Sequence, residues 1–224
     1  KEKSTLPSIC SLVCPYDNQC RGHCIKNKLG KPVNIPIIEQ YISSNVKEKT
    51  SKISKNNFKV AIIGSGPAGL ACGETLANYG YSVDIYDKYD VPGGILTYGI
   101  PDFVLPKAKV NEKINYLKKL GINFILNKEL NKDIFIDELT NNYDAIFLGF
   151  GASIGKKMGL DNENISGVID ANLFLERMYK NEFDCTNIND VIVVGGGNTA
   201  IDAALVAKKK IPNSNVSIVY RRSE

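Results

Sequence analysis

Four of the chain's six cysteines, Cys10, Cys14, Cys20 and Cys24, fall within fifteen positions beside its single histidine, His23. Thiolates in close series are soft metal ligands, so the spacing C-x3-C-x5-C-x3-C points to a bound metal. Zinc sites usually pair cysteines across a longer loop. Iron-sulfur ligands often form one close series with a proline beside a ligand, as Pro15 stands after Cys14. The spacing admits both metals. Cys10, Cys72 and Cys185 fit better as buried small hydrophobes, and His23 as a solvated loop residue. A disulfide framework is not expected in a chain long enough to build its own core.

The elements that must position these groups follow along the chain. The polar run SSNVKEKTSKISKNN (43–57) has no apolar period and reads as a linker. Beyond it, KVAIIGSGPAGLACGETLANYGYSVDIYDK (59–88) is a complete βαβ unit: strand Val60 to Ile63, a glycine turn, a helix to about Tyr79 ended by Gly80, and strand Val83 to Tyr86. In the turn Gly64-Ser65-Gly66-Pro67-Ala68-Gly69, the first glycine permits the tight bend and the second lets backbone approach a pyrophosphate. The third lets helix and strand pack closely. The helix N-terminus offers N–H groups and positive potential to the phosphates. Asp87, 21 residues after Gly66, is placed to accept hydrogen bonds from a ribose.

VPGGILTYGIPDFVLPK (91–107) reads as a loop that could lie against a ring system or phosphates. Val110, Ile114, Leu117 and Leu120 mark one helix face, with the lysines of 107–120 as its solvated side. Ile122 to Leu126 and Ala145 to Leu148 read as strands. A second fingerprint starts at 190: strand Val191 to Val194, the turn Gly195-Gly196-Gly197-Asn198-Thr199-Ala200, helix Ile201 to Lys210 and strand Val216 to Tyr220. Arg221 and Arg222 then stand near where the first unit has Asp87. A guanidinium clamps a 2′-phosphate, so this site is expected to prefer NADP(H).

Two dinucleotide sites and a cysteine cluster suggest a redox wire: hydride from NADPH to a flavin, then single electrons to an iron-sulfur cluster. The flavin is needed because nicotinamide delivers electrons in pairs and a cluster takes one. No general acid, base or nucleophile is required. The net charge of +4 comes without a basic patch interleaved with aromatics, which argues against nucleic acid. There is no apolar run long enough to span a membrane and no signal-peptide stretch, so a cytoplasmic location is expected.

ICSLVCPYDNQCRGHC, GKPVNIPIIEQYI, VAIIGSGPAGLACG, GGILTYGIPDFVLPK, YDAIFLGFGA, VVGGGNTAIDAA and VYRRS occur in this order. As a set they resemble the small (beta) subunit of NADPH-dependent glutamate synthase over residues 9–224. The large subunit of NADH-dependent ferredoxin:NADP oxidoreductase and the N-terminal part of dihydropyrimidine dehydrogenase share the module. The resemblance implies an α/β fold of two Rossmann-like dinucleotide-binding units preceded by part of a small helical iron-sulfur domain. The expected domains are 1–45 (iron-sulfur), 46–58 (linker), 59–186 (FAD) and 187–224 (start of the NADPH domain).

It further implies [4Fe-4S] ligands at Cys14, Cys20 and Cys24, with Cys24 serving a different cluster from the other two, and an oxygen ligand at Glu39. FAD would be held by Gly64 to Gly69, Asp87, Gly93-Gly94-Ile95 and backbone near Leu130. NADPH would lie on Gly195, Gly197, Asn198, Thr199 and Ala200, with Arg221 and Arg222 on its phosphate. The implied partner is the glutamate synthase large (alpha) subunit or an equivalent electron acceptor. Asp87 replaces the family's usual Glu, and Val104 stands where relatives often carry Arg near the flavin. Further cluster cysteines are expected upstream of Lys1, and the chain reads as an internal fragment. A ferredoxin- or pyrimidine-reducing module fits the same motifs, and a zinc-binding or inactive interaction fragment is the non-enzyme alternative.

Overall fold

A computed structural model describes residues 4–46 and 53–221. Arg222 and most of the expected linker, 47–52, lie outside the described residues. The chain divides into two compact units, Lys1–Leu96 with Asp102–Gly151, and Thr97–Pro101 with Ala152–Glu224.

The first unit opens with α1 (Pro7–Val13), whose leading proline suits a first helical turn, and α2 (Ile35–Asn45), capped by the Asn34 side chain accepting from the Ile37 N–H at 3.4 Å. The two helices pack on each other, and α1 buries Ile9. Then come β1 (Lys59–Ile63), α3 (Pro67–Asn78), β2 (Ser82–Tyr86), the single turn α4 (Ile95–Tyr98), whose last two residues count to the second unit, α5 (Lys107–Lys119), β3 (Asn123–Ile125), α6 (Ile136–Asn142) and β4 (Ala145–Leu148). The strands form one parallel sheet in the order β3-β2-β1-β4, with Ile62 level with Ile85 on one side and Phe147 on the other. That is half of a doubly wound dinucleotide-binding sheet.

Strand alternation sends neighbouring residues of β1 to opposite faces. Ile62 joins Ile85 and Ile122 around Gly73 of α3. Ala61 and Ile63 pack with Ile134 and Leu139 on the α6 side. β1 is therefore apolar on both faces, as a central parallel strand must be. β2 also carries Asp84, which is 9% exposed. It accepts from Tyr143 Oη at 2.6 Å, from Lys59 Nζ at 2.9 Å and from Asn123 Nδ2 at 3.2 Å. Burial alone would raise this carboxyl. The donations from Tyr143, Lys59 and Asn123, with the Lys59 charge, hold it below the usual range.

Two lysines of α5, Lys107 and Lys113, depart from the expected solvated face, while Lys118 and Lys119 lie on it. Lys113 is 4% exposed and pairs with buried Glu74 of α3 at 2.7 Å. Lys107 donates through Nζ to the Leu96 carbonyl at 2.8 Å, and burial pushes its ammonium down to about 8 against the opposing charge of Asp102. The apolar positions dictated the inner face of α5; they carry no information on a lysine at its margin that finds a buried acceptor.

In the second unit, α7 (Ala171–Lys180) is capped by Asp170, whose carboxylate accepts from the N–H groups of Asn172 and Leu173. β5 (Asp190–Val194), α8 (Asn198–Lys210) and β6 (Asn215–Val219) form a second βαβ unit with a parallel two-stranded sheet. Phe174, Leu175 and Met178 of α7 pack with Ala203, Val206 and Ala207 of α8. α7 shares this core, and both lie in the compact unit that holds Ala152–Glu224. Tyr98 stacks edge-on against Tyr179 at 5.1 Å, so Thr97–Pro101 packs within this unit. No described helix is long and apolar enough to cross a membrane.

Candidate cofactor and cluster-ligand sites

The first glycine turn has the shape that a pyrophosphate needs. Gly64 sits at φ +101°, and a β-carbon there would lie 2.5 Å from the Gly149 carbonyl oxygen. A β-carbon on Gly69 would lie 1.9 Å from the Gly64 carbonyl oxygen, so the close approach of α3 to the turn depends on glycine there. Gly66 differs: a β-carbon on it meets nothing within 4 Å, leaving its backbone open to a ligand. Gly66 is also the N-cap of α3, no side chain caps the helix, and Pro67 brings no N–H. The N–H groups of Ala68 and Gly69, without helical acceptors, are left for an anion. Gly94, at φ +53°, lies against Gly66: its β-carbon would sit 3.0 Å from the Gly66 Cα. These residues fit FAD, with an open backbone cradle where the pyrophosphate would lie.

Ser65 and Asp87 lie beneath the turn, 0% and 6% exposed. The Ser65 N–H donates to Asp87 Oδ2 at 2.6 Å, and the Ser65 hydroxyl donates to the same oxygen. Asp87 Oδ1 accepts from the Tyr89 N–H at 3.0 Å, and the Gly93 N–H donates to Ser65 Oγ at 3.0 Å. The Lys128 N–H donates to the Asp87 carbonyl at 2.8 Å, which brings the stretch of backbone leading to Leu130 beside the end of β2. Ile95 is exposed at the start of α4. Expected residues from three separate segments, the glycine turn, Asp87 and the Gly93–Gly94 loop, thus meet at one end of the parallel sheet, whereas Leu130 packs against Ala61, Ile63, Ile134 and Leu139. What spacing could not reveal is that Asp87 turns inward under the glycines.

The second turn repeats part of the design within its own unit. Gly195 sits at φ +135° and its N–H bonds the Val219 carbonyl at 2.9 Å. Gly197 is the N-cap of α8 with open space around it, and no side chain caps that helix either. Asn198 and Thr199 are exposed in its first turn, while Ala200, at the third fingerprint position, is buried. The Tyr220 ring covers Gly196, where a β-carbon would come within 2.8 Å of it. Arg221 follows, exposed to solvent. These residues leave a second backbone cradle, suited to the pyrophosphate of NADPH.

The cysteines are spread along the helical segment. Cys14 caps the end of α1, Cys20 is exposed, and Cys24 caps the 3-10 helix Ile25–Leu29. The Val33 N–H donates to Cys24 Sγ at 3.4 Å. That bond, with others from nearby backbone N–H groups, holds the thiol below its ordinary range and favours the thiolate a metal requires. Cys10 is pushed up by burial first, then by Glu39 and Cys14, which places Glu39 of α2 within electrostatic reach of α1. Among the described residues no three Cys, His, Asp or Glu side chains are gathered as a metal site. Cys14, Cys20, Cys24 and Glu39 therefore do not by themselves form a cluster cage in this structure. His23 is exposed, as a solvated loop residue would be.

Comparison with known proteins separates the cysteine segment from the two glycine turns. Residues 1–51 match the family model described as dihydropyrimidine dehydrogenase domain II, 4Fe-4S cluster. The chain is 40% identical over its full length to the putative oxidoreductase AegA of Escherichia coli (strain K12), covering 36% of that protein. It is 36% identical, again over its full length, to the glutamate synthase [NADPH] small chain of the same strain, covering 50% of it. The chain thus spans about half or less of the length of these relatives. Mycobacterium tuberculosis FprA in complex with NADPH superposes with a TM-score of 0.62 at 22% identity, over 75% of this chain and 44% of that one, and shows the fold. The resemblance to the glutamate synthase small-subunit family is borne out, and FAD, NADPH and [4Fe-4S] are the cofactors that these domain types carry. Residues 58–224 match the model of the pyridine nucleotide-disulphide oxidoreductases, and the chain belongs to that family.

Proposed function

We propose that this chain is part of an electron-input module, which takes reducing equivalents from NADPH through FAD and [4Fe-4S] clusters to a partner subunit. The observation that carries the reading is the open backbone of Gly66 at an uncapped helix N-terminus, with Gly94 against it, on a sheet of order β3-β2-β1-β4. Bound flavin accepts a hydride and releases electrons singly, which suits it to link a nicotinamide to a cluster. The chain's own residues bind and orient. Ala68 and Gly69 N–H groups hold the FAD pyrophosphate, the Gly93-Gly94-Ile95 loop and backbone near Leu130 line the cofactor, and Gly195, Gly197, Asn198, Thr199 and Ala200 receive NADPH. Arg221 and Arg222 contact its 2′-phosphate.

Cys14, Cys20, Cys24 and Glu39 are proposed as cluster ligands that need further ligands to complete each site. The partner most in keeping with the sequence is a glutamate synthase large subunit, where glutamine and 2-oxoglutarate would yield glutamate; no residue here would touch those compounds. The relative with 36% identity named as a glutamate synthase small chain supports this terminus. The test is a visible spectrum of anaerobically purified chain, with iron, zinc and released flavin quantified on the same sample. Bound FAD is expected, with NADPH bleaching its visible flavin absorption. Zinc without flavin would refute the reading.

A further inference from the structure

We infer that Lys107 is a positioning residue for the flavin: its ammonium holds the Leu96 carbonyl and so fixes the Gly93-Gly94-Ile95 loop against the cofactor. This role rests on the FAD reading of the first glycine turn and falls to a residue outside the fingerprint. α4 is a single turn, too short to satisfy its own carbonyl groups. The Leu96 N–H donates back to the Gly93 carbonyl at 3.1 Å, and the Leu96 carbonyl accepts from Lys107 Nζ at 2.8 Å. At the other end of the loop, the Gly93 N–H donates to Ser65 Oγ at 3.0 Å. Hydrogen bonds in series thus run from the glycine turn to α5. Gly94 lies inside this run and packs against Gly66, where the pyrophosphate would enter. Release of Leu96 would loosen the loop where it closes on the cradle.

The place of Lys107 in the chain suits this task. Its backbone N–H donates to Asp102 Oδ1 at 3.0 Å. Leu96 is the last residue of the first unit before Thr97–Pro101, and Asp102 is the first after it. Lys107 is therefore bonded to both residues that bracket this segment. The flavin loop is held from within the first unit, while Thr97–Pro101 packs in the second.

A hold of this kind responds to pH. Burial pushes the ammonium down to about 8, against the opposing charge of Asp102. Of the helices packed on α5, α3 carries Glu74, which pairs with Lys113, and Cys72, while α1 carries Cys10. α4 carries Tyr98, which stacks on Tyr179, and on α5 itself Lys109 pairs with Glu112. Tyr116, Lys118 and Lys119 stand further along α5. The negative pyrophosphate of bound FAD favours the charged form of Lys107, so cofactor and proton bind together. FAD affinity should fall as pH rises through about 8.

The test uses the 224-residue chain. FAD dissociation constants are measured across neutral and alkaline pH for the wild type, Lys107→Met and Asp102→Asn. Wild-type affinity should drop about threefold or more between about pH 7 and about pH 9. Lys107→Met should bind FAD about fivefold or more weakly at about pH 7 and lose the pH step. Asp102→Asn keeps an acceptor for the Lys107 N–H but removes the charge that favours the ammonium, so its step should move to lower pH. A purely structural role would lower the urea midpoint of Lys107→Met and leave FAD affinity and its pH step untouched. Wild-type affinity in Lys107→Met, a pH step that persists in that variant, a flat wild-type profile or a step that Asp102→Asn leaves in place overturns the inference. If Lys107→Met does not fold, the Asp102→Asn profile decides. If the wild-type chain binds no FAD, the functional reading fails, while hydrogen exchange of the flavin-free chain still decides whether Lys107 holds the loop. The Gly93 and Leu96 amides should exchange faster in Lys107→Met, and equal rates overturn the hold.

Discussion

Adding one methyl group to either of two glycines three residues apart should separate folding from cofactor binding. In Gly69→Ala the new carbon would lie 1.9 Å from the Gly64 carbonyl oxygen, and real contacts of this kind do not close below 3.0 Å. The backbones must part by 3.0 − 1.9 = 1.1 Å, with Ile62 also only 3.2 Å away. The closest clash is with the Gly64 main chain, so no rotamer change relieves it. Overpacking of this kind costs about 3 kcal/mol. The better helix propensity of alanine returns about 1 kcal/mol, leaving a loss of about 2 kcal/mol. In Gly66→Ala the methyl meets nothing within 4 Å, and φ −68° with ψ −175° is a conformation alanine adopts freely. Its fold should be unchanged, or firmer by about 0.5 kcal/mol through a less flexible unfolded chain. FAD should nevertheless bind at least about tenfold more weakly, because the methyl occupies the approach of the pyrophosphate; tenfold is about 1.4 kcal/mol. Far-UV circular dichroism in urea measures the first quantity, and quenching of flavin fluorescence the second. Wild-type FAD affinity in Gly66→Ala, or a destabilised fold in that variant, would refute the reasoning.

Stability should also depend on acid through Asp84. Its carboxyl is held below the ordinary value in the folded chain, so as pH falls the unfolded chain takes up the proton first. The stabilisation is present above about pH 4, the unfolded value, and is lost as pH falls through the folded one. Asp84→Asn should flatten that part of the urea-midpoint profile and cost about 2 kcal/mol at pH 7, where charged hydrogen bonds are broken; an unchanged acid limb would count against the assignment. For the buried pair, Glu74→Gln should destabilise by about 3 kcal/mol by stranding the Lys113 ammonium, whereas replacing both by Leu and Met should cost much less, as thermal unfolding will show. Equal losses in the single and double variants would mean that packing, and not the stranded charge, sets the cost.

The sequence alone determined the elements of the two βαβ units, because strand–glycine turn–helix–strand is written in local chemistry. β4 spans Ala145–Leu148 as expected, β2 starts one residue earlier, β6 shifts by a residue, and α8 starts three residues earlier than expected because its first turn is also the end of the glycine motif. Glycine roles were equally legible, since a missing side chain has one steric meaning: Gly64 takes a positive φ and Gly69 permits close packing. Other elements were not. The run 91–107, expected as a loop, contains the turn of α4, and α7 forms in a stretch that carries no fingerprint of its own. The tertiary structure alone decided partners across long separations. That Asp87 accepts from the Ser65 N–H and hydroxyl depends on which donors lie behind β2, and a spacing of 21 residues from Gly66 does not reveal it. Lys113 became a core residue because α5 set it against Glu74, 39 positions earlier in the chain. Periodicity records which face of an element is apolar; the pairing of polar groups depends on what the fold places opposite them.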